Sequence, residues 1–254
     1  MKSTSRIWYT YLGWIFSAYT IFFGDSMNRY GYIFDNYNAL KKEIDALSGG
    51  REITLVAVTK SGSDEELVAL CEAGADNVGE NRPGELARRG TLLKEAGYTP
   101  ALHEIGNLQR NKVKLIIGSV SLVHSLDTVE LAREIDRQAE KIGRKIPVLI
   151  EINSASEEQK GGVLPENAEK FCEDIKEFKN LIVSGVMTMG PVVENPEDIR
   201  PYFRLTKEIF DRLNKAHGFP GGGILSMGMS DSYRVAIEEG STLVRVGRKL
   251  FNKD

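Results

Sequence analysis

The sequence predicts an α/β fold built as a single (β/α)8 barrel, a TIM barrel. Three observations lead there. Eight short apolar runs recur along the chain, and each but the last is followed by a helical pattern. Strict βα alternation demands a parallel sheet. The eight units occupy about 225 residues, the size typical of such a barrel. A doubly wound open sheet is the main rival, but it has fewer strands as a rule and a phosphate loop near its start. Neither GxGxxG nor GxxxxGK[ST] follows the first apolar run.

Each element has its own signal. Ile33, Tyr37, Leu40, Ile44 and Leu47 recur at spacings of four and three, an amphipathic helix that SGG at 48–50 ends. ITLVAVT, 53–59, reads as the first strand. A helix over 63–73 follows, with Ser63 as N-cap and Glu66 three residues on. A short strand lies at 76–79 and a helix at 82–96. ALHEIG, 101–106, is the third strand, and QRNKVKLII a short helix. SVSLVHS, 119–125, is the fourth strand. Asp127 is read as the cap of the next helix, with Leu131, Ile135, Ala139 and Ile142 on its apolar side. IPVLIEIN, 146–153, is the fifth strand, and Pro165 opens a helix at the position proline tolerates. LIVSGVMTM, 181–189, is the sixth. Residues 196–217 form a long helix with Tyr202, Leu205, Ile209 and Leu213 inward. GILSMGM, a helix at about 231–239, and STLVRVG complete the pattern.

Composition excludes several classes. The chain of 254 residues is 41% hydrophobic and 27% charged, with a net charge of -3 spread along its length. It lacks the concentrated basic face that nucleic acid requires. His103, His124 and His217 form no metal motif, so no metal is expected. Cys71 and Cys172 read as reduced core thiols of a cytoplasmic protein, with one long-range disulfide as the alternative. Residues 7–24 contain no charge, which leaves a membrane anchor, a cleaved signal, or untranslated upstream sequence with Met27 as the true start. The last is preferred, because the sequence after Met27 reads as a whole barrel. The expected division is therefore a leader at 1–26 and a barrel at 27–254.

In a barrel the chemistry collects at the C-terminal ends of the strands. Alternation puts Thr54, Val56, Val58 and Lys60 on one face, so Lys60 stands at the rim if that face is the interior. Partial burial is then expected to lower its pKa and make it nucleophilic. The bland alternative is a lysine reaching solvent from a strand end. SMGMS and VRVG follow the seventh and eighth runs, where barrels seat phosphate, and the small residues of SMGMS suit an anion. A lysine beside a phosphate seat suits an imine with a phosphorylated aldehyde. His103 and His124 are read as core histidines ahead of acid–base groups, and the methionines as core filling ahead of a ring pocket.

The ordered set LVAVTK, VGEN, IGNLQRNK, VHSLD, GVMTMG, RPYF, LSMGMSDSYRVAIEEG and VRVG resembles the YggS/PROSC family of pyridoxal phosphate homeostasis proteins over about residues 30–251. The resemblance implies a barrel like the N-terminal domain of alanine racemase. It implies that Lys60 holds pyridoxal 5'-phosphate as a Schiff base and that Asn81 lines the cofactor. Ser226, Met227, Gly228 and Ser230 fall in the phosphate-binding turn, with Ser230 the preferred hydroxyl. Gly247 and Arg248 add backbone N–H groups, and Arg245 faces the pyridine nitrogen. A cation there weakens the ring as an electron sink. The racemases also use a tyrosine from a second domain that this sequence does not show. The expected function is thus a monomeric cofactor carrier or reservoir with no turnover of its own, which hands the cofactor to apo-enzymes. A racemase-like enzyme is the alternative, and a Schiff-base aldolase a third reading. Lys160 matches a lysine position in the family's loop and reads equally as a solvated residue. Arg248 and Asn252 depart from the family's usual residues, as does Asn107.

Overall fold

The computed structural model describes residues 29–157 and 159–253; the apolar stretch at 7–24 lies outside them. Among the described residues no helix is long and apolar enough to cross a membrane. Eight parallel strands close into a barrel in sequence order: β1 (Thr54–Val58), β2 (Asn77–Glu80), β3 (Ala101–Glu104), β4 (Leu122–Leu126), β5 (Ile146–Glu151), β6 (Leu181–Met187), β7 (Ile224–Ser226) and β8 (Leu243–Val246). The helices are α1 (29–47), α2 (Asp64–Glu72), α3 (Pro83–Glu95), α4 (Val113–Ile116), α5 (Val129–Lys141), α6 (Ala168–Asp174), α7 (Arg200–His217) and α8 (Tyr233–Glu238).

Alternation along the strands splits the apolar residues into two sets. Val56, Leu122, Leu149, Met187 and Leu243 meet inside the barrel, with Ile224 packed on them. Residues of opposite parity, such as Val78, Leu102, Val148, Ile150 and Val186, face the helices. Among the described residues β8 is followed only by a 3-10 turn, Arg248–Leu250, and not by an α-helix lying over the β8–β1 seam. α1 does this from the other end of the sequence: Ile33, Tyr37, Leu40 and Ile44 pack with Leu55 and Ala57 of β1, Val244 and Val246 of β8, and Ile237 of α8. Each such aliphatic side chain contributes about 1.5–3 kcal/mol on burial. At the opposite end from the strand C-termini, Arg51 donates to Ile237 O (2.6 Å) and Arg144 to Ile117 O (2.8 Å), satisfying carbonyls of the elements that enter β8 and β4.

The helix starts show where the sequence signal works. Ser63 and Glu66 form a reciprocal capping box on α2. α5, however, is capped by Thr128, whose hydroxyl accepts the Leu131 N–H at 3.3 Å; Asp127 instead accepts the Gly162 N–H and stands beside Gly161. Ile142 ends α5 exposed rather than on its apolar side. The buried face of α7 is Phe203, Thr206, Ile209, Phe210 and Leu213, with Tyr202 and Leu205 only half-buried, because the wide face of a buried helix takes in both i+3 and i+4 neighbours. Cys71 and Cys172 are free thiols in the core.

Candidate functional site

β1 stops at Val58, and Lys60 lies two residues beyond it, in a turn rather than on the strand. Val56 faces the interior, so Val58 and Lys60 follow it toward the mouth by alternation. The amine is exposed, which corrects the expectation of partial burial. Thr59 N–H makes the last rung of the β1–β2 ladder, to Gly79 O (3.1 Å), and Gly62 N–H then closes back on Thr59 O (2.9 Å), which turns the chain off the strand. Lys60 Nζ has no hydrogen-bond or ion-pair partner among the described residues, so the amine is free to meet a ligand. Asn81, one residue past β2, is also exposed; its backbone lies against Gly106, where a Cβ would sit 2.3 Å from Asn81 O.

Across the mouth, the chain after β7 folds into a tight turn. Gly228 has φ +95, and a Cβ there would fall 2.5 Å from Ala236 Cβ, so only glycine fits. Met229 O accepts from Ser232 N–H and Tyr233 N–H, and Ser230 Oγ accepts from Gly247 N–H at 3.3 Å, which ties this turn to the one after β8. The N–H groups of Gly228, Ser230 and Arg248 have no partner among the described residues. Three unpaired donors in two adjacent βα turns are groups of the kind that bind an anion. The side chains of two residues here are engaged elsewhere, and the Met227 N–H goes to Leu243 O, so Met227 adds no donor to the turn. Met227 is fully buried in the outer core with Leu225, Val235 and Ala236, and the Arg248 side chain pairs with Asp231 at the surface.

The floor of the mouth is built by Arg245, which is 4% exposed. Its guanidinium donates to Ser226 Oγ (2.5 Å), Ser226 O (3.1 Å) and Thr188 O (3.0 Å), so it is held over β7. Ser226 therefore serves the floor, not the anion turn: its hydroxyl lies inside the barrel, 3.1 Å from His124 Nδ1. His124 Nε2 is 2.9 Å from His103 Nδ1, and His103 Nε2 is 3.1 Å from Asn77 Oδ1. Both histidines are thus bonded through both ring nitrogens, which leaves neither free for proton transfer to a ligand. Burial pushes His103 down to about 4 and His124 well below its ordinary value. Burial also lowers Arg245 to about 10, with Glu151 opposing, and it remains a cation at neutral pH. Glu151, at the end of β5, is pushed up to about 7 by burial and by Asp127, while Arg245 pulls it down.

Lys60, the unpaired N–H groups after β7 and β8, and Arg245 are therefore brought to one end of the barrel. Sequence reasoning missed the Ser226–His124 support of Arg245, because residues 102 positions apart show no shared period. The only available signal was two histidines in strand-like runs, at positions that alternation turns inward.

The family profile described as alanine racemase, N-terminal domain, matches residues 32–253. The chain is similar to the pyridoxal phosphate homeostasis protein of Aquifex aeolicus, 43% identical over 199 residues, which covers 78% of this chain and 86% of that one. Among solved structures it is similar to an unknown protein from Bifidobacterium adolescentis, with TM-score 0.80 and 32% identity over 88% of this chain and 96% of that one. It also shares the fold of PipY from Synechococcus elongatus, solved with PLP bound, with TM-score 0.75 and 23% identity over 87% of this chain and 100% of that one. A barrel of this topology, matched over nearly its whole described length, belongs to the alanine racemase N-terminal domain family, among the pyridoxal phosphate homeostasis proteins.

Proposed function

We propose that this chain binds pyridoxal 5'-phosphate through the Lys60 amine and serves as a cytoplasmic carrier or reservoir of it. The observation that carries the reading is the shared location of a free amine, unpaired N–H groups and a buried guanidinium. The residues fit the group. The N–H groups of Gly228, Ser230 and Arg248 would hold the phosphate, in a turn that packs against α8 only because position 228 carries no side chain. Arg245 would supply a fixed cation to the ring, and Asn81 stands exposed just past β2 at the same end of the barrel.

When bound, the group supplies an aldehyde for covalent attachment and a ring that withdraws electrons. Lys60 would supply the amine for that attachment, with water as the leaving product. A guanidinium facing the ring nitrogen disfavours a proton there, since a second positive charge would meet it. Electron withdrawal is weakest in that state, which suits holding the cofactor rather than breaking bonds at an amino acid. The engaged histidines support the same reading over a racemase, because they offer no free base. The names of the homeostasis relatives agree with it.

Purified protein incubated with pyridoxal 5'-phosphate is expected to turn yellow, and borohydride reduction followed by peptide mapping to place the label on Lys60. Lys60→Ala should lose both colour and label. The loaded wild type should restore activity to an apo-enzyme that needs the cofactor, without racemising amino acids. A chromophore that survives in Lys60→Ala, or a label on another lysine, defeats the proposal.

A further inference from the structure

The Lys60 turn is gripped from behind by a residue of another element. Arg89 of α3 is 8% exposed and reaches back under the β1–α2 loop. Its Nη1 donates to Thr59 O and its Nη2 to Gly62 O, each at 2.6 Å, so one planar guanidinium holds a carbonyl on either side of Lys60. The same Nη1 donates to Glu80 Oε1 at 2.6 Å, and that oxygen also accepts the Thr59 hydroxyl. Asp64 stands 3.3 Å from Nε, so the buried charge is compensated. From the other side the Phe251 ring lies on Gly62, where a Cβ would come within 2.4 Å of it.

We propose that Arg89, charge-balanced by Glu80, is a positioning residue for the Lys60 amine. Resting on the cofactor reading above, the inference assigns to α3 the task of aiming the nucleophile. Fixing the Thr59 carbonyl fixes the peptide plane that enters Lys60, and fixing the Gly62 carbonyl anchors the far end of the same turn, so the two together restrict the direction in which the lysine leaves the backbone. A flexible turn would let the amine sample the whole mouth; a pinned one offers it to an aldehyde whose phosphate is seated across the barrel. Arginine is suited to this because its planar fork presents two donors at a fixed spacing, whereas an ammonium is a point charge.

The test compares two ligands on Arg89→Met. Pyridoxal 5'-phosphate reports attachment through Lys60. Pyridoxine 5'-phosphate has an alcohol in place of the aldehyde and reports only the seat. The variant should form the borohydride-trappable link on the order of tenfold to a hundredfold more slowly, while binding pyridoxine 5'-phosphate as wild type does. Arg89→Lys should recover part of the rate. Because removing one partner strands the Glu80 carboxylate, the pair Glu80→Gln with Arg89→Met serves if the single variant fails to fold. A wild-type trapping rate in a folded variant overturns the proposal. So does an equal loss of both ligands, which would make Arg89 a support of the whole mouth. If wild type takes no aldehyde on Lys60, the cofactor reading fails. The clamp is then decided by amide exchange at Thr59 and Gly62, whose N–H groups are bonded to Gly79 O of β2 and to Thr59 O. Exchange should speed up in Arg89→Met, and unchanged exchange overturns the clamp.

Discussion

Glu80 and Glu104 are paired neighbours on β2 and β3, yet their carboxylates meet opposite fates. Glu80 has Arg89 and Thr59 as partners. Glu104 is fully buried with one oxygen 3.2 Å from the Gly106 N–H and the other unpartnered. Burial, with the Glu80 charge adding to it, pushes Glu104 up to about 8, against a weaker lowering by Gly106. A carboxyl raised on folding keeps its proton longer in the native state. Its stabilisation is complete below the ordinary value of 4.5 and is lost as pH rises through about 8. Glu104→Gln is therefore expected to flatten the pH dependence of urea unfolding across that window. It should exceed wild type by about 2–3 kcal/mol near the alkaline end. A variant that stays less stable than wild type there would mean that Glu104 is ionised and paired. Such a residue illustrates what sequence conceals. ALHEIG reads as a strand, and alternation tells which side Glu104 faces. Its missing partner depends on how α3 and α4 pack, which no local pattern records.

At the scale of elements, the βα order and most strand positions were legible, because a parallel strand buried on both faces must read as an apolar run. Lys60 at the first strand's end and the small residues after the seventh were legible for the same reason. The details that escaped depend on competition between neighbours: Thr128 over Asp127 as cap, or Ser226 drawn inward by Arg245 rather than outward to the anion turn. The turn between β7 and α8 is the element on which the proposed phosphate seat depends. Gly228→Ala would force a Cβ to 2.9 Å from Tyr233 Cα and 2.5 Å from Ala236 Cβ at a φ of +95. Left-handed strain and overpacking together should destabilise the protein by about 2–4 kcal/mol. Affinity should fall for pyridoxal 5'-phosphate far more than for pyridoxal, which lacks the phosphate. An equal fall for both would place the phosphate elsewhere.

Across the whole molecule, one hydrogen-bonded line runs through the barrel interior and has a single consistent direction. Arg245 can only donate, so Ser226 Oγ accepts from it and gives its own proton to His124 Nδ1. His124 Nε2 then carries hydrogen and donates to His103 Nδ1, and His103 Nε2–H donates to Asn77 Oδ1. Asn77 closes the line by donating from Nδ2 to Asp76. Every member is satisfied with both histidines neutral. Protonating His103 puts hydrogen on its Nδ1, face to face with the His124 Nε2–H across 2.9 Å, a clash relieved only if His124 moves its hydrogen to Nδ1, opposite the Ser226 hydroxyl. His103 is held down to about 4 from an ordinary 6.5, so its contribution is intact above 6.5 and is lost as pH falls toward 4. His103→Gln, which cannot be charged, should be less stable than wild type above that window. The gap should narrow by up to about 1.4 kcal/mol for each pH unit of acid within it. Using the difference between the two proteins removes Glu104, whose effect runs the other way and is common to both. The same acid should loosen Arg245 in wild type, since Ser226 loses its acceptor at His124. The absorption of the loaded protein should then shift in step with the narrowing gap. A gap that stays constant from neutral pH to about 4 would show that a histidine is already charged in the native barrel, and the line would have to run in the opposite sense.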